Sequence, residues 1–271
     1  MLETARSLLR TYKIHPNSLL GQNFMIEPST FKIMSDYASL GPDDVVLDVG
    51  AGLGLLTRFL AGKCKEVLAV EMDSQLVKVL VEHLKDLSNV TVISGNILRT
   101  QIPRFDKAVS IPPYQISSSL VPWLLERQFV SSVLIFQEEF AKRLVAPVGS
   151  EDYGWLTVFT YYRAECELLD RVPNRVFYPR PSVGSTIVRL RLKKQTPFTV
   201  KDDQLFIRFV QAVFTRRNRK VGNAVQPFIR DTLSKTEEQT RIISRKMPFC
   251  EERVRQLAPE DFGVLANALF S

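Results

Sequence analysis

An apolar run that stops at an acid and opens into alternating glycines most restricts how this chain can fold. Residues 45–57 read VVLDVGAGLGLLT, with Asp48 two residues before the first glycine. The β-branched run, the glycine turn and the helical pattern after it predict a buried strand, a tight turn and a helix, as at the nucleotide-side corner of a doubly wound α/β sheet. Gly50 and Gly52 would let the backbone approach a ligand that a Cβ would exclude.

The glycine spacing and the nearby acids indicate the kind of ligand. The spacing is Gly-x-Gly-x-Gly, whereas dinucleotide sites have Gly-x-Gly-x-x-Gly. Asp48 would repel a pyrophosphate and favour a cation, and S-adenosylmethionine carries a sulfonium and an ammonium but no phosphate. A second apolar run, Val67–Val70, ends in Glu71, which is well placed to accept hydrogen bonds from ribose hydroxyls. The sequence therefore favours a methyl-donor site, and a purely structural glycine turn is the alternative.

Strand and helix patterns alternate over the first two-thirds of the chain. This alternation predicts an α/β fold with a doubly wound, mostly parallel, Rossmann-like sheet covered on both faces. Ligands of such sheets lie at the carboxyl ends of the strands. The predicted strands after the glycine loop are 67–71, 90–94, 107–110 and 133–137, with closing strands at 168–172 and 185–192.

The strand signal ends at residues 193–197, KKQTP, which we take as a domain boundary. Residues 1–192, with an amphipathic N-terminal helix, are predicted to form the catalytic domain that binds the methyl donor. Residues 193–271 are predicted to form a small, basic, all-α domain. Its helices are expected at 203–217, 223–233, 238–245, 250–257 and 259–270.

Positive charge is concentrated around that boundary. The segment from Arg189 to Lys220 holds ten basic residues and two acidic ones, whereas the whole chain has a formal net charge of +7. A basic strip of this kind is typical of a surface that binds a polyanion. A charged face that is merely solvated is the alternative.

Composition excludes several other functions. No run approaches the ~20 apolar residues of a membrane span, so no membrane partner is expected. Cys64, Cys166 and Cys250 match no metal or redox spacing, and the chain has only two histidines. We therefore expect no metal, and scattered thiols suit a reducing cytoplasm. The N-terminal helix could also be read as a mitochondrial presequence, but Glu3 and its short length favour a docked helix.

A stiff corner with an aromatic residue follows the strand predicted at 107–110. Residues 111–114 read IPPY, in which two prolines restrict the loop and Tyr114 offers a flat face. Adenine's exocyclic amine is a poor nucleophile because its lone pair is delocalised into the ring. Hydrogen-bond acceptors for the amine and an aromatic platform for the base would therefore assist its methylation. Phe177 is a second candidate platform, and core packing is the alternative for either ring.

The motifs resemble those of the rRNA adenine dimethyltransferases, which modify adjacent adenines near the 3′ end of small-subunit rRNA. The macrolide-resistance methylases of large-subunit rRNA are related to that family. Segment 137–146, QEEFAKRLVA, resembles the archaeal and eukaryotic branch. The resemblance extends over nearly the whole chain, through segments 21–24, 47–54, 95–96, 113–117, 177–185, 214–217 and 257–262.

The resemblance implies roles for individual residues. Tyr114 and Phe177 would sandwich the target adenine. The charge of the basic strip, independently of the resemblance, predicts that RNA binds through Arg216, Arg217, Arg219 and Lys220. With the acids and glycines above, the residues expected to hold the methyl donor are Gln22, Asn23, Met25 (through its backbone), Asp48, Gly50, Gly52, Glu71, Met72, Asn96 and Ile97.

Two positions depart from the family pattern. Asn96 stands where the family usually has Asp, and an amide oxygen can still accept a hydrogen bond from the donor's adenine amine. Ile111 stands where the family has the Asn of its Asn-Leu-Pro-Tyr corner, and isoleucine accepts no hydrogen bond. The remaining candidates for the catalytic corner are the Ser110 hydroxyl and the main-chain carbonyls around Pro112 and Pro113.

The sequence therefore predicts an S-adenosylmethionine-dependent rRNA adenine dimethyltransferase with a role in ribosome biogenesis. Its expected partner is small-subunit rRNA or the immature small subunit, and it is expected to act as a cytoplasmic monomer. One alternative is a ribosome-assembly or transcription factor of the same fold that lost turnover at Ile111. A DNA adenine methylase, suggested by Pro-Pro-Tyr, is another, although such enzymes carry a polar residue where Ile111 stands.

Overall fold

The computed structural model describes residues 1–17 and 21–270, and the chain divides into two compact units. The first unit comprises Met1–Ala141 and Glu165–Leu192, and the second comprises Lys142–Ala164 and the residues from Lys193 onward. Ser271, the last residue of the predicted second domain, lies outside the described residues.

The segment 142–164 is where this division differs from the prediction, which assigned all of residues 1–192 to one domain. Tyr153 and Tyr162 are buried in the same apolar cluster as Phe206 and Phe209. The aromatic residues of this segment therefore complete the core of the helical unit. Both units are discontinuous in sequence, and a single boundary could not describe them.

Nine strands are present in the described part of the chain, and seven of them form the central sheet in the order β4-β3-β2-β5-β6-β9-β7. Their neighbours are parallel from β4 through β6, and β9 is antiparallel to β6. The predicted doubly wound, mostly parallel sheet is therefore confirmed. The strands are β1 (Phe24–Met25), β2 (Val45–Val49), β3 (Glu66–Glu71), β4 (Val90–Ser94), β5 (Lys107–Ser110), β6 (Ser131–Gln137), β7 (Ala164–Val172), β8 (Phe177–Tyr178) and β9 (Ser185–Leu192).

Helices flank the sheet in the first unit and build the second unit. The first unit contains α1 (Leu2–Thr11), α2 (Pro28–Ala38), α3 (Leu55–Ala61), α4 (Ser74–Leu84) and α5 (Ser117–Leu125). Helix α6 (Glu138–Leu144) begins in the first unit and ends in the second. The second unit contains α7 (Trp155–Arg163), α8 (Asp203–Phe214), α9 (Val221–Ala224), α10 (Gln226–Asp231), α11 (Glu237–Lys246) and α12 (Pro259–Leu269). Among residues 1–17 and 21–270, no helix is both long and apolar enough to cross a membrane.

The helix predicted at 250–257 is wrong, because this segment forms only a 3-10 turn at Val254–Gln256. The Val254 N–H donates to the Arg219 carbonyl, and the Arg255 N–H donates to the Arg217 carbonyl. These donors bond to a neighbouring segment instead of their own turn, so no α-helix propagates. The predicted helix 223–233 is divided into α9 and α10.

The two shortest strands form a separate sheet that the sequence analysis did not predict. Phe24 pairs with Tyr178 and Met25 pairs with Phe177, in antiparallel register. Phe24, Met25 and Phe177 are buried in the main core cluster of the first unit. A two-residue strand has too little alternation to be recognised in a sequence.

Candidate active site

A cleft at the carboxyl ends of β2, β3, β4 and β5 collects most of the predicted site residues. It encloses about 1270 Å³ of empty space, including its open mouth. All the residues predicted to hold the donor line it: Gln22, Asn23, Met25, Asp48, Gly50, Gly52, Glu71, Met72, Asn96 and Ile97. Four predicted catalytic residues line it as well: Ile111, Pro112, Pro113 and Tyr114.

The charges in this cleft are all of one sign. Asp48, Glu71 and Asp73 are among its lining residues, whereas no lysine, arginine or histidine in the described part of the chain lines it. Such a cleft disfavours a pyrophosphate and favours a ligand with positive charge. Within residues 1–17 and 21–270, no group of three or more His, Cys, Asp or Glu side chains is arranged to hold a metal ion.

Glu71 holds the glycine loop in place. Its Oε2 accepts from the Gly52 N–H at 2.9 Å, and its Oε1 accepts from the N–H groups of Met72 and Asp73 at 2.8 and 2.9 Å. Burial raises the pKa of this carboxyl, and these hydrogen bonds oppose that effect. A carboxylate has about four acceptor positions. The backbone occupies three of them, so one remains for a ligand hydroxyl.

Asp48 is the most buried acid of the cleft. It is 1% exposed, and one carboxylate oxygen accepts a hydrogen bond from the Thr57 hydroxyl at 2.7 Å. Burial raises the pKa of Asp48 to about 7, and the nearby Glu71 charge acts in the same direction. A cation in the cleft would therefore stabilise the ionised form of this carboxyl.

We predict that the unliganded protein becomes less stable as the pH rises from 5 to 8. The folded chain binds the Asp48 proton more tightly than the unfolded chain does. The contribution of this proton to the free energy of unfolding is therefore fully present below pH 3.8 and is lost as the pH rises through about 7. The part of this contribution that is lost between pH 5 and pH 8 is at most about 3 kcal/mol. In urea unfolding at several pH values, Asp48→Asn should flatten this decline.

Asp86→Asn is the matched control for this pH dependence. Arg58 lowers the pKa of Asp86 to about 2, so this carboxyl does not titrate between pH 5 and 8. Its removal should change the free energy of unfolding by a similar amount at each pH. An unchanged pH slope in Asp48→Asn would contradict the prediction.

The polar side chains of the cleft already form some hydrogen bonds to other groups of the protein. The Gln22 amide donates to Asp73 and accepts from the Asn17 N–H, each at 2.8 Å. The Asn96 carbonyl oxygen accepts from the Leu98 N–H at 3.0 Å. Gln22 thus positions the wall of the cleft, whereas the second lone pair of the Asn96 oxygen remains for a ligand.

The glycine loop lies directly against the proline corner. Gly50 has φ +72°, and a Cβ built on it would lie 2.5 Å from Pro113 Cδ. Real contacts of this kind are not that short, so only glycine allows the two loops to meet. The corner therefore depends on this one position.

Tyr114 is held by a hydrogen bond outside its own loop. Its hydroxyl lies 2.7 Å from the Ser185 Oγ, and burial raises its pKa, so the phenol stays neutral. Ile111 lines this same cleft and also packs against the main core. The side chain at the family's Asn position therefore offers no acceptor in the cleft.

Ser110, predicted to support catalysis, is not in the cleft. It is fully buried in β5, where its hydroxyl accepts from the Val49 N–H at 2.8 Å and donates to the Leu47 carbonyl at 3.2 Å. The hydroxyl connects β2 to β5 where the strands approach their carboxyl ends. Because Ser110 is fully buried and does not line the cleft, its hydroxyl cannot reach the amine of a substrate.

We predict that Ser110→Ala acts on stability instead of chemistry. Removing the hydroxyl leaves the buried Val49 N–H unsatisfied, which should lower the free energy of unfolding by about 1–2 kcal/mol. Ser132 in β6 is a matched control, because it is equally buried and its hydroxyl has no hydrogen-bond partner among the described residues. Urea unfolding should show little loss for Ser132→Ala, and equal losses in both variants would contradict the assignment.

Phe177 is the second predicted catalytic residue outside the cleft. It is 1% exposed and packs in the main core cluster, with its backbone paired to Met25. Its ring therefore offers no free face to a base in this structure. The sandwich predicted between Tyr114 and Phe177 is not formed, because the pairing of β1 with β8 carries Phe177 inward.

The predicted RNA-binding residues lie in the second unit and differ in their surroundings. Arg217 donates to the carbonyls of Ser150 and Glu151, and Lys220 forms an exposed ion pair with Glu251. Arg216 and Arg219 are exposed, and their guanidinium groups make no hydrogen bond to the described residues. These two arginines are therefore the more available cations.

The sequence analysis missed a second cleft, which shares Asn23 and Tyr114 with the first cleft. Gln137, at the carboxyl end of β6, and Arg180 also line it. The signal for Gln137 was present, because a polar residue ends the apolar strand next to β5.

Comparison with known proteins identifies the family. The family model described as ribosomal RNA adenine dimethylase matches residues 14–259. The chain belongs to this family. The predicted family membership, methyltransferase activity and fold class are confirmed.

Alignments to curated relatives extend over almost the whole chain. A probable ribosomal RNA small subunit methyltransferase A of Methanosarcina acetivorans is 38% identical over 98% of this chain and 97% of its own length. One of Thermococcus kodakarensis is 38% identical over 94% of this chain and 90% of its own length. Both relatives are archaeal, in agreement with the motif at 137–146.

Two solved structures of methyltransferases are similar in fold. A dimethyladenosine transferase from Plasmodium falciparum has a TM-score of 0.74 and 25% identity, over 89% of this chain and 95% of that one. The 23S rRNA methyltransferase ErmE has a TM-score of 0.64 and 28% identity, over 92% of this chain and all of that one.

Proposed function

We propose that this chain uses S-adenosylmethionine to dimethylate the exocyclic amines of two adjacent adenines near the 3′ end of small-subunit rRNA. It would act as a cytoplasmic monomer on the immature small subunit during ribosome biogenesis. The observation that carries the proposal is an acidic cleft without a basic side chain, at the strand ends of a dimethylase-family protein.

The residues of the cleft fit the methyl donor. The open acceptor position on Glu71 suits a ribose hydroxyl, and the free lone pair of the Asn96 oxygen suits an adenine amine. Asp48 supplies negative charge toward the cationic end, and Met72 and Ile97 supply apolar surface. When bound, S-adenosylmethionine supplies a methyl group attached to its sulfonium sulfur. After transfer of the methyl group, this sulfur is part of a neutral thioether.

Donor binding is tested by calorimetry with S-adenosylmethionine and, as the competing ligand, NADH. Carboxylates without basic residues should admit the cationic sulfonium compound and repel the pyrophosphate. We expect measurable heat of binding with the first and none with the second. NADH binding at comparable affinity would overturn the choice of cofactor.

The target base would enter beside Tyr114, whose ring can stack on it. Main-chain carbonyls around Pro112 and Pro113 would accept hydrogen bonds from the amine, because the Ile111 side chain cannot. Such acceptors let the nitrogen lone pair turn toward the methyl group as the new bond forms. The amine proton is then released to solvent.

A second candidate function is a catalytically weak assembly factor, and the apolar Ile111 in the cleft favours it. The two functions are separated by incubating the purified protein with labelled methyl donor and immature small subunits, then analysing nucleosides. If the protein is an enzyme, the wild type produces dimethyladenosine. The Ile111→Asn variant should then methylate at a rate equal to, or modestly above, that of the wild type. A nearly inert parent that gains about 100-fold or more from Ile111→Asn would identify the binding factor.

RNA affinity should depend on Arg216 and Arg219 without an effect on the donor. Replacing both with alanine should flatten the log–log salt dependence of RNA binding by about one unit per lost phosphate contact. Arg230→Ala is the control, because Asp231 already pairs with this exposed arginine. If the double variant and the control have the same salt slope, these arginines do not contact RNA.

A further inference from the structure

The second cleft contains an amide that the protein itself does not use. Gln137 lines this cleft together with Tyr114, and its side chain makes no hydrogen bond to any described residue. Two other amides that line this cleft do form hydrogen bonds. The Gln22 side chain uses both its oxygen and its nitrogen, and the Asn23 side chain donates to the Gly21 carbonyl. Gln137 is partly buried, so its donor and its acceptor are both available to a ligand.

The sheet register places this amide beside Tyr114. Gln137 in β6 lies directly opposite Ser185 in β9, in antiparallel register. Directly opposed residues of an antiparallel pair point to the same face, with Cβ atoms about 5 Å apart. The Ser185 hydroxyl in turn lies 2.7 Å from the Tyr114 hydroxyl. A chain of contacts thus connects the free amide to the edge of the aromatic ring.

This geometry suits the edge of a base that lies flat on Tyr114. The Watson–Crick edge of adenine presents an N–H of its exocyclic amine and, beside it, a ring nitrogen that accepts. A glutamine amide has the complementary pair, a carbonyl oxygen and an N–H. Flipped bases are generally recognised through this edge together with stacking.

We propose that Gln137 binds the Watson–Crick edge of the target adenine in the second cleft. Its carbonyl oxygen accepts from the exocyclic amine, and its N–H donates to the adjacent ring nitrogen. The proposal rests on the proposed function, since it takes adenine as the substrate. It assigns Gln137 to recognition of the substrate, whereas Gly50, Glu71 and Asn96 are still proposed to bind S-adenosylmethionine.

One consequence concerns the product. An unmodified or monomethylated amine can donate to the Gln137 oxygen, whereas a dimethylated amine has no N–H left. The hydrogen bond from the amine to the Gln137 oxygen is therefore lost only after the second transfer, whereas the one to the ring nitrogen does not depend on methylation. This partial loss favours release of the finished product over release of the intermediate.

The test combines a protein variant with a modified base. Target RNA is prepared with adenosine or with 1-deazaadenosine, which lacks the ring nitrogen that Gln137 would contact. For the wild type, the modified base should lower kcat/KM and RNA affinity by about 10-fold, the scale of one lost hydrogen bond in a buried site. Gln137→Leu should lower both by about 10-fold or more on adenosine RNA, and should respond less than twofold to the modified base.

Controls separate recognition from folding and from the proposed function. Gln101→Leu changes an exposed glutamine outside both clefts and should behave like the wild type. Donor affinity should be unchanged in all variants. If Gln137→Leu binds and methylates like the wild type, or retains the full 1-deazaadenosine penalty, the proposal is overturned. If the wild type binds RNA without methylating it, the proposed function fails, and the affinity measurements still decide the role of Gln137.

Discussion

Replacing Tyr114 with alanine should reduce methyl transfer to RNA by about 100-fold and change donor affinity by less than about threefold. The ring lines both clefts, so its loss removes the platform on which the base would lie. Stacking on an aromatic side chain is worth ~1–3 kcal/mol, and misplacement of the amine slows the in-line attack further. Single-turnover transfer and calorimetry with the donor would measure the two effects separately.

Tyr114→Phe is the matched control for this loss. It keeps the ring and removes only the hydrogen bond to Ser185, so transfer should fall by about 10-fold or less. If Tyr114→Ala keeps more than about a third of the wild-type rate, the base does not stack on this ring.

The second large effect is expected from Gly50→Ala. The positive φ of Gly50 is unfavourable for alanine by roughly 1–2 kcal/mol, and the new Cβ would collide with the ring of Pro113. Overpacking adds about 1–3 kcal/mol, so the free energy of unfolding should fall by about 2–5 kcal/mol. Donor affinity should fall by about 10-fold or more, since the displaced corner forms one wall of the cleft.

Gly62→Ala serves as the control for that substitution. Gly62 follows α3 with φ −78°. A Cβ built on it would have the Phe59 carbonyl oxygen as its nearest neighbour, at 3.6 Å. Alanine should be tolerated there or stabilise slightly, because it restricts the unfolded chain. Urea unfolding and calorimetry that show equal effects at Gly50 and Gly62 would contradict the steric argument.

The grouping of the acids and glycines in one cleft could be predicted because its signals are local. The run before Asp48 ends a strand, the glycines follow it, and Glu71 ends the next strand. Parallel strands bring their carboxyl ends to one edge of the sheet, so the spacing along the chain was enough to group these residues. The cleft does collect them, and its acidic character follows from the same positions.

The substrate side was harder to predict because it depends on where side chains point. Ser110 and Ile111 are neighbours, yet the strand directs the hydroxyl into the sheet and the isoleucine into the cleft. Phe177 belongs to a motif rich in proline and aromatic residues, but a two-residue strand pairing turns its ring into the core. Neither outcome can be read from residue type, since both follow from tertiary packing.

The pairing of β1 with β8 also determines when the donor cleft can form during synthesis. Phe24 and Met25 line that cleft, and their partner residues are Tyr178 and Phe177, about 150 positions later in the chain. A nascent chain that ends before residue 177 has the glycine loop and most of the sheet but no partner for β1. Such long-range contacts form late because the intervening loop must close first. A ribosome-bound chain should therefore acquire a complete donor site only after β8 has emerged, when nearly all of the first unit has been made.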